Sequence, residues 1–361
     1  MSSTMGEKIK ISIFGESHGR AIGVTIDGIP AGEKIDAGEL QKFLNRRAPG
    51  RMDYQTQRRE SDIPEFVSGI FDGVATGAPI CAIIRNENTR SKDYSAFRDL
   101  PRPSHADYPA QLRYHGFNDI RGGGHFSGRL TAPLCVAGGL ALQILARKGI
   151  AVGAHIASIG SVRDVPFDPV GVNAEELRSL TGKPVSVLND EAGTAMVDTI
   201  EAARNSQDSV GGIIECAAVG YPGGIGTPMF DGLENRLASA IFGIPAVRGI
   251  EFGAGFASAD MRGSVHNDAY TMADGGIRTK TNHHGGIIGG ISTGMPIVLR
   301  VAIKPTPSIG LEQASVDISR MEETPLKIEG RHDPCIVPRA VPCVEAVVGI
   351  ILLDMLLCEQ E

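Results

Sequence analysis

Ser68-Gly-Ile-Phe-Asp-Gly-Val-Ala-Thr-Gly-Ala-Pro-Ile80 and Gly285-Gly-Ile-Ile-Gly-Gly-Ile-Ser-Thr-Gly-Met-Pro-Ile297 are two versions of one thirteen-residue phrase. Seven positions are identical: Gly69/Gly286, Ile70/Ile287, Gly73/Gly290, Thr76/Thr293, Gly77/Gly294, Pro79/Pro296 and Ile80/Ile297. Upstream, Gly28-Ile-Pro-Ala-Gly32 matches Gly220-Tyr-Pro-Gly-Gly224, and each is followed by a candidate helix, at 37–47 and at about 228–242. Self-similarity at this scale outweighs any single motif. It predicts a duplicated strand–strand–helix–strand–strand unit, about 8–85 and 209–304, with an insertion between the copies. Strands in hairpin-like pairs point to one α+β domain over 1–361 with mainly antiparallel sheets and helices packed between or against them. A doubly wound parallel fold fits less well.

Around this frame, residues 8–14 and Ala21 to Ile26 read as strands joined by the Gly15-Glu-Ser-His-Gly19 turn. Asp36-Ala-Gly-Glu39 has capping-box form ahead of Leu40, Phe43 and Leu44, and Pro49-Gly50 stops that helix. Phe66–Phe71 and Ile80–Arg85 read as strands. Leu130 to Lys148 reads as a helix rich in small residues, suited to close packing. Residues 150–205 read as scaffold, with a strand-like piece, a short helix near Glu175–Ser179 and a longer one around Glu191–Arg204. In the second copy Thr227-Pro228 supplies an N-cap and an N1 proline, and 295–303 is strand-like.

The chain has 361 residues, 42% apolar and 21% charged, which is enough for a real core. A net charge of −7, no tryptophan and 5% aromatics argue against a nucleic-acid binder. Lys42, Arg46, Arg47, Arg51, Arg58 and Arg59 nevertheless cluster, with Asp53 the one acid among them. The pattern suits either a small anionic ligand focused into a cleft or a solvated basic helix end. The six cysteines show no C-x-x-C and mostly sit in apolar runs, reading as reduced core residues of a cytoplasmic protein rather than a metal centre. Val341 to Cys358 is apolar but interrupted by Glu345 and Asp354, which fits a buried helix better than a membrane span.

The chemistry concentrates between Arg102 and Arg129. That run holds Arg102, His105, Asp107, Arg113, His115, Arg121, His125, Ser127 and Arg129 among glycines, directly before an apolar helix. Imidazoles, guanidinium forks and bare backbone at a helix start are what an anionic-substrate site needs. P-loop, G-x-G-x-x-G, H-E-x-x-H and G-x-S-x-G patterns are missing. His18 and His105 stand in stiffened turns where a histidine can exchange a proton with a leaving phosphate or a ring nitrogen. His283-His284 reads as a polar loop. Lys304 stands at a strand end before Pro305-Thr-Pro-Ser308. Asp333 is either a general base or the partner of Arg331, and these residues alone favour the salt bridge.

Gly15-Glu-Ser-His-Gly19, Gln57-Arg-Arg-Glu60, Arg102-Pro-Ser-His-Ala-Asp107, Asp208-Ser-Val-Gly-Gly212, Gly289-Gly-Ile-Ser292, Lys304-Pro-Thr-Pro-Ser308, Arg331-His-Asp-Pro-Cys335 and Val337-Pro-Arg-Ala-Val-Pro342 together resemble the chorismate synthase family over nearly the whole chain. The resemblance implies a homotetramer of β-α-β sandwich protomers. It also implies 1,4-anti elimination of phosphate from 5-enolpyruvylshikimate 3-phosphate to give chorismate, the last step of the shikimate pathway, with reduced FMN required and no net redox change. By motif, His18 would protonate the leaving phosphate or hold its anion. His105 would keep the flavin in its working protonation state, and Asp333 would assist proton removal through the flavin's N5. Arg47, Arg102, Arg129 and Arg331 would clamp the substrate's anionic groups. The FMN set carried over is His125, Phe126, Ser127, Ala246, Gly289, Lys304, Pro305, Thr306, Pro307, Ser308 and Arg331. Arg47 and Asp53 fall where the family binds NADP, so NADPH is a candidate reductant. Two positions depart from the family pattern: His125-Phe126 replaces a short polar or basic pair, and Asp53 replaces an arginine. The competing readings are an NADPH-dependent flavin reductase and a non-catalytic binder of phosphorylated metabolites. Neither nucleic acid nor membrane is expected as a partner.

Overall fold

The computed structural model describes residues 3–50, 60–86, 97–273, 275–328 and 333–359. In chain order its principal elements are β1 (Lys10–Gly15), β2 (Ala21–Asp27), α1 (Ala37–Arg47), β3 (Glu65–Ser68), β4 (Ile80–Arg85), α2 (Asp107–Tyr114) and α3 (Thr131–Arg147). Then follow β5 (Ala151–Ile159), α4 (Ala174–Leu180), α5 (Asp190–Asn205), β6 (Gly212–Val219), α6 (Leu233–Ile241), β7 (Val247–Phe252), β8 (Ile297–Ile303), β9 (Gln313–Asp317), β10 (Glu322–Leu326) and α7 (Val337–Cys358).

Two five-stranded sheets form, every strand pair antiparallel. The first runs β1-β2-β4-β3, with Thr4–Met5 at the β1 edge. The second runs β5-β6-β8-β7, with Val162–Arg163 at the β5 edge. The order is the same, and the repeated phrase matches in backbone detail. Gly69 and Gly286 share a φ of 81°. Thr76 N donates to Gly69 O at 3.0 Å, and Thr293 N to Gly286 O at 2.9 Å. Gly32 N reaches Ala75 O at 2.9 Å as Gly224 N reaches Ser292 O at 2.8 Å.

The helices α1, α3, α6 and α7 form the layer between the sheets, giving the β-α-β sandwich. The apolar strand faces and α3 and α7 merge into one core. α3 and α7 touch at backbone distance: a Cβ on Gly138 would overlap the Cβ of Ala346. This is what the small residues of α3 are for. Two stretches, Gly128–Arg147 and Val337–Cys358, are long and apolar enough to cross a membrane, and 89% of each apolar window is buried inside this layer.

Four expectations need correction. The strand across Phe66–Phe71 breaks at Gly69, leaving β3 and a separate pairing of Ile70–Phe71 with Val74–Ala75. The second-copy helix starts at Leu233, because Thr227 Oγ1 donates to Asp231 O and closes a short turn of its own, while Pro228 stays extended. α7 begins at Val337 rather than Val341, since Pro338 lies in the first turn, where no backbone donor is required. The stretch 150–205 is more than scaffold: it supplies β5, which holds in the second sheet the place of β1 in the first.

Candidate functional site

The Gly15–Gly19 turn between β1 and β2 carries His18, which is 7% exposed. It is fastened by Ser17 N donating to Gly124 O at 3.1 Å and by Asn86 Nδ2 donating to Gly19 O at 2.9 Å and Glu16 O at 3.1 Å. Opposite lies Gly122-Gly123-Gly124, all with positive φ. Such angles suit glycine, and the space forbids anything else. A Cβ on Gly122 would overlap the His18 ring, and one on Gly123 would lie 2.9 Å from His105 Cε1. One bare turn is thus flanked by both histidines singled out from sequence.

His105 Nδ1 lies 2.7 Å from Asp107 Oδ1. Arg102 forks the same carboxylate, Nε to Oδ2 at 2.7 Å and Nη2 to Oδ1 at 2.8 Å, with its guanidinium 4.7 Å above the Phe97 ring. Burial alone would raise the Asp107 carboxyl, but the hydrogen bonds from Arg102 and His105 hold it far below the usual carboxylate range. Arg102 is therefore committed within its own loop. Lys304, at the end of β8, donates to Ser104 O at 2.5 Å and so ties the second sheet to the His105 loop. Burial and the neighbouring Arg248 push its ammonium pKa down.

A second cluster centres on Asp62. Its carboxylate takes Arg47 Nη1 at 2.6 Å and, on the other oxygen, Arg129 Nη1. Burial would raise Asp62, and the two guanidiniums overrule it. Arg47 also donates to Thr131 Oγ1 at 3.0 Å and Gly128 O at 3.2 Å, so its whole fork is engaged. Arg129 Nε donates to Asn86 Oδ1 at 3.1 Å, which joins this cluster to the His18 turn. Its Nη2 is buried with no hydrogen bond among the described residues, the nearest carboxylate being Glu60 at 3.8 Å. Asp333 Oδ2 takes Arg339 Nη1 at 2.5 Å, and Arg339 Nε donates to the carbonyl of Arg47 at 3.1 Å. Burial, against the pull of Asp333, lowers the Arg339 pKa. The described partner of Asp333 is thus Arg339.

His18, His105, Arg47, Arg102, Arg129, Lys304 and Asp333 thus belong to one contiguous set. Ser127 belongs too, its hydroxyl accepting from Arg129 N at 3.3 Å. Ala246, at a φ of 77°, accepts from Lys304 N at 3.0 Å. Pro305 and Pro307 follow in the same segment. Within it Thr306 Oγ1 is buried without a partner among the described residues, while its carbonyl accepts from Ser209. Gly289 sits at a hairpin turn where an added Cβ would meet nothing within 4 Å. Arg331 and Asp53 lie outside the described residues.

His125 and Phe126 point elsewhere. His125 Nδ1 lies 2.8 Å from Gly15 O and Nε2 2.7 Å from Ser3 Oγ, while the Phe126 ring lies 6.1 Å from that of Tyr114. Both line a cleft of about 1330 Å³ that borders the site through Gly15, Glu16 and Thr131 but includes neither His18 nor His105. The basic cluster also resolves differently from a free patch, because Arg46 is forked by buried Glu345 at 2.5 and 2.9 Å. Sequence reasoning gave no role to Asp62, Asp107 or Arg339. The available signal was an acid or a lone arginine inside an otherwise apolar or turn-forming run.

The sequence matches the family described as chorismate synthase over residues 9–357. The chain belongs to the chorismate synthase family. Curated relatives of that name include one from Lancefieldella parvula, 48% identical over 99% of this chain and 96% of its own length. Another, from Pyrococcus abyssi, is 49% identical over 98% and 97%. A crystal structure of chorismate synthase superimposes with a TM-score of 0.78 at 27% identity, covering 98% of this chain and 93% of that one. Family membership makes the chain a lyase of the shikimate route to aromatic amino acids, acting on a small molecule.

Proposed function

We propose that the surface formed by His18, His105 and the Asp62-centred arginines eliminates phosphate from 5-enolpyruvylshikimate 3-phosphate, giving chorismate, beside bound reduced FMN. The observation that carries this reading is the glycine turn 122–124, which leaves both imidazoles flush against bare backbone. The residues suit a flavin phosphate. Lys304 supplies a cation, Thr306 an unused buried hydroxyl, and the turn a flat wall free of side chains. When bound there, reduced FMN would supply the transient electron density that eases loss of phosphate.

The chain's own groups do the rest. The C–O bond to phosphate breaks as a ring C–H proton is lost. His18 hands a proton to the departing phosphate, or holds its anion once charged. Arg129 contributes a buried donor, Nη2, with no hydrogen bond among the described residues, so it is an arginine well placed to hold an anion. Arg47 and Arg102 contribute through position: Arg47 fixes Asp62, and Arg102 fixes the His105 loop. Asp333, paired with Arg339, assists removal of the ring proton. Arg331 completes the anion clamp in this proposal. Fixed donors in a partly buried site stabilise developing charge without reorganising at the moment of reaction.

We further propose a cytoplasmic homotetramer of 361-residue single-domain protomers. Phe117, Phe230 and Phe256 and the hairpin residues Tyr270, Met272 and Ile277 are exposed apolar surface that further copies would cover. All six cysteines are free. NADPH is an optional source of electrons. The deciding experiment is anaerobic phosphate release with dithionite-reduced FMN. Repeated turnover without nicotinamide consumption is expected, and no release from folded protein would overturn the assignment. Nicotinamide consumption in step with turnover would favour a flavin reductase.

A further inference from the structure

Asp107 has no assigned part in the chemistry, yet its carboxylate is the most fully engaged group of the site. Oδ2 accepts from Arg102 N at 3.0 Å and Arg102 Nε at 2.7 Å, and Oδ1 meets Arg102 Nη2 at 2.8 Å and His105 Nδ1 at 2.7 Å. An ionised carboxylate has acceptor sites only, about four of them, and here each faces a nitrogen. Three of those nitrogens are permanent donors. The fourth must also carry hydrogen, because a bare imidazole nitrogen 2.7 Å from a carboxylate oxygen would set lone pair against lone pair. The 3.2 Å contact between Arg102 Nη2 and His105 Nδ1 is then the third side of a triangle of two donors sharing Oδ1.

We propose that Asp107 is the positioning residue of His105, fixing the proton on Nδ1 so that neutral His105 presents a bare Nε2 along the Gly122–Gly124 turn. The opposite edge of the ring supports this placement: a Cβ on Gly123 would lie 2.9 Å from Cε1 and 3.2 Å from Nε2, so the backbone there passes flat against the working nitrogen. The charged and titratable neighbours are Arg102 and Asp107 on the same loop, His18 across the glycine turn, and Lys304 at the β8 end through Ser104. In this state His105 accepts a hydrogen bond, and its ligand is an N–H or O–H donor on the bound ring system. Arg102, seated on Phe97, neutralises Asp107, so the carboxylate orients the imidazole while the loop carries no excess negative charge toward an anionic substrate. This inference deepens the proposed function and rests on its placement of the reacting ring beside His105.

The test reads the tautomer directly. Protein labelled with ¹⁵N-histidine is recorded by long-range ¹H–¹⁵N correlation at alkaline pH, with the His105 signals identified by their loss in His105→Gln. The parent protein is expected to show protonated Nδ1 and bare Nε2. In Asp107→Asn the preference is expected to weaken or reverse, because a side-chain amide can donate to Nδ1. Phosphate release should fall in kcat within the roughly 10²–10⁴-fold range of a positioned proton-transfer group, with KM little changed. Asp107→Glu should restore the Nδ1–H form. A parent protein with Nε2–H overturns the inference whether or not any variant folds, and so does an unchanged tautomer in Asp107→Asn. If the tautomer is as stated and His105→Gln still turns over, it is the catalytic use of His105 that fails.

Discussion

The two sheets share a strand order and a hairpin phrase, yet the same connection has opposite fates in them. Between β1 and β2 the chain makes the short Gly15–Gly19 turn and leaves His18 at the site. Between β5 and β6 it makes the long excursion 160–211, and α4 covers the outer face of the second sheet, burying Phe167, Leu177 and Leu180. Under that cover lies another histidine. His155 is fully buried, with Nδ1 3.0 Å from Asp164 and Nε2 2.9 Å from Glu215. Asp164 also accepts from the backbone of Leu188 and Asn189, and Glu215 from Phe167, so the cluster staples the excursion down. One copy leaves its histidine against the bare glycine turn of the candidate site, and the other buries its histidine in packing.

The largest effects should separate these roles. His18→Ala or His105→Ala should lower phosphate release by about 10²–10⁴-fold while the unfolding midpoint stays near that of the parent. His155→Ala should do the reverse. It leaves buried Asp164 without its cation and Glu215 with Arg300 alone at 3.6 Å, a loss of about 3–5 kcal/mol in urea unfolding, with activity retained where the protein is folded. A catalytic defect in His155→Ala at full stability would break the comparison.

Next comes the seam between the copies. Gly138→Ala should destabilise by about 1–3 kcal/mol through overpacking against Ala346, outweighing the ~1 kcal/mol that alanine gains in helix propensity. A raised melting temperature would show that α3 and α7 can move apart.

The pH dependence of the second copy sharpens the contrast. Burial would lower the His155 pKa, but the hydrogen bonds its ring donates to Asp164 and Glu215 leave it raised. A raised folded-state pKa gives stability that is fully present below the unfolded histidine value and lost as pH rises through the folded one. Unfolding free energy should therefore decline as pH rises from the unfolded histidine value through the folded one, and His155→Gln should flatten the decline. A parallel decline in both proteins would remove His155 as its source. The smallest effect concerns the paired helices: Asp36 caps α1 by accepting from Glu39 N at 2.9 Å, whereas α6 starts at Gly232 with no side-chain cap. Asp36→Ala should cost about 1 kcal/mol by thermal melting.

The duplicated frame was readable because its glycines and prolines punctuate hairpins, and local turn chemistry survives in sequence. β5 was not, since nothing in Ala151–Ile159 repeats β1 and an alternating strand looks alike anywhere. His18 and His105 were readable as histidines in stiff turns. Asp62 was not, because its partner Arg129 is distant in sequence, and Asp107 and Arg339 were not, because nothing in the run says which of several nearby charges each one meets. His155 failed for the same reason: its carboxylates come from two other segments. The contact of His125 with Ser3 was not readable either, since the two lie more than a hundred residues apart.

Asp354, deep in α7, accepts backbone hydrogen bonds from Glu7, Lys8 and Ile9 at 2.7–3.2 Å. Ribosomal synthesis runs the other way along this link. The segment entering β1 emerges early and must wait for more than three hundred further residues before its acceptor exists. The Glu7–Ile9 segment leading into β1 therefore lacks this anchor until α7 arrives. Chains halted before α7 should leave the backbone donors of residues 7–9 without this acceptor.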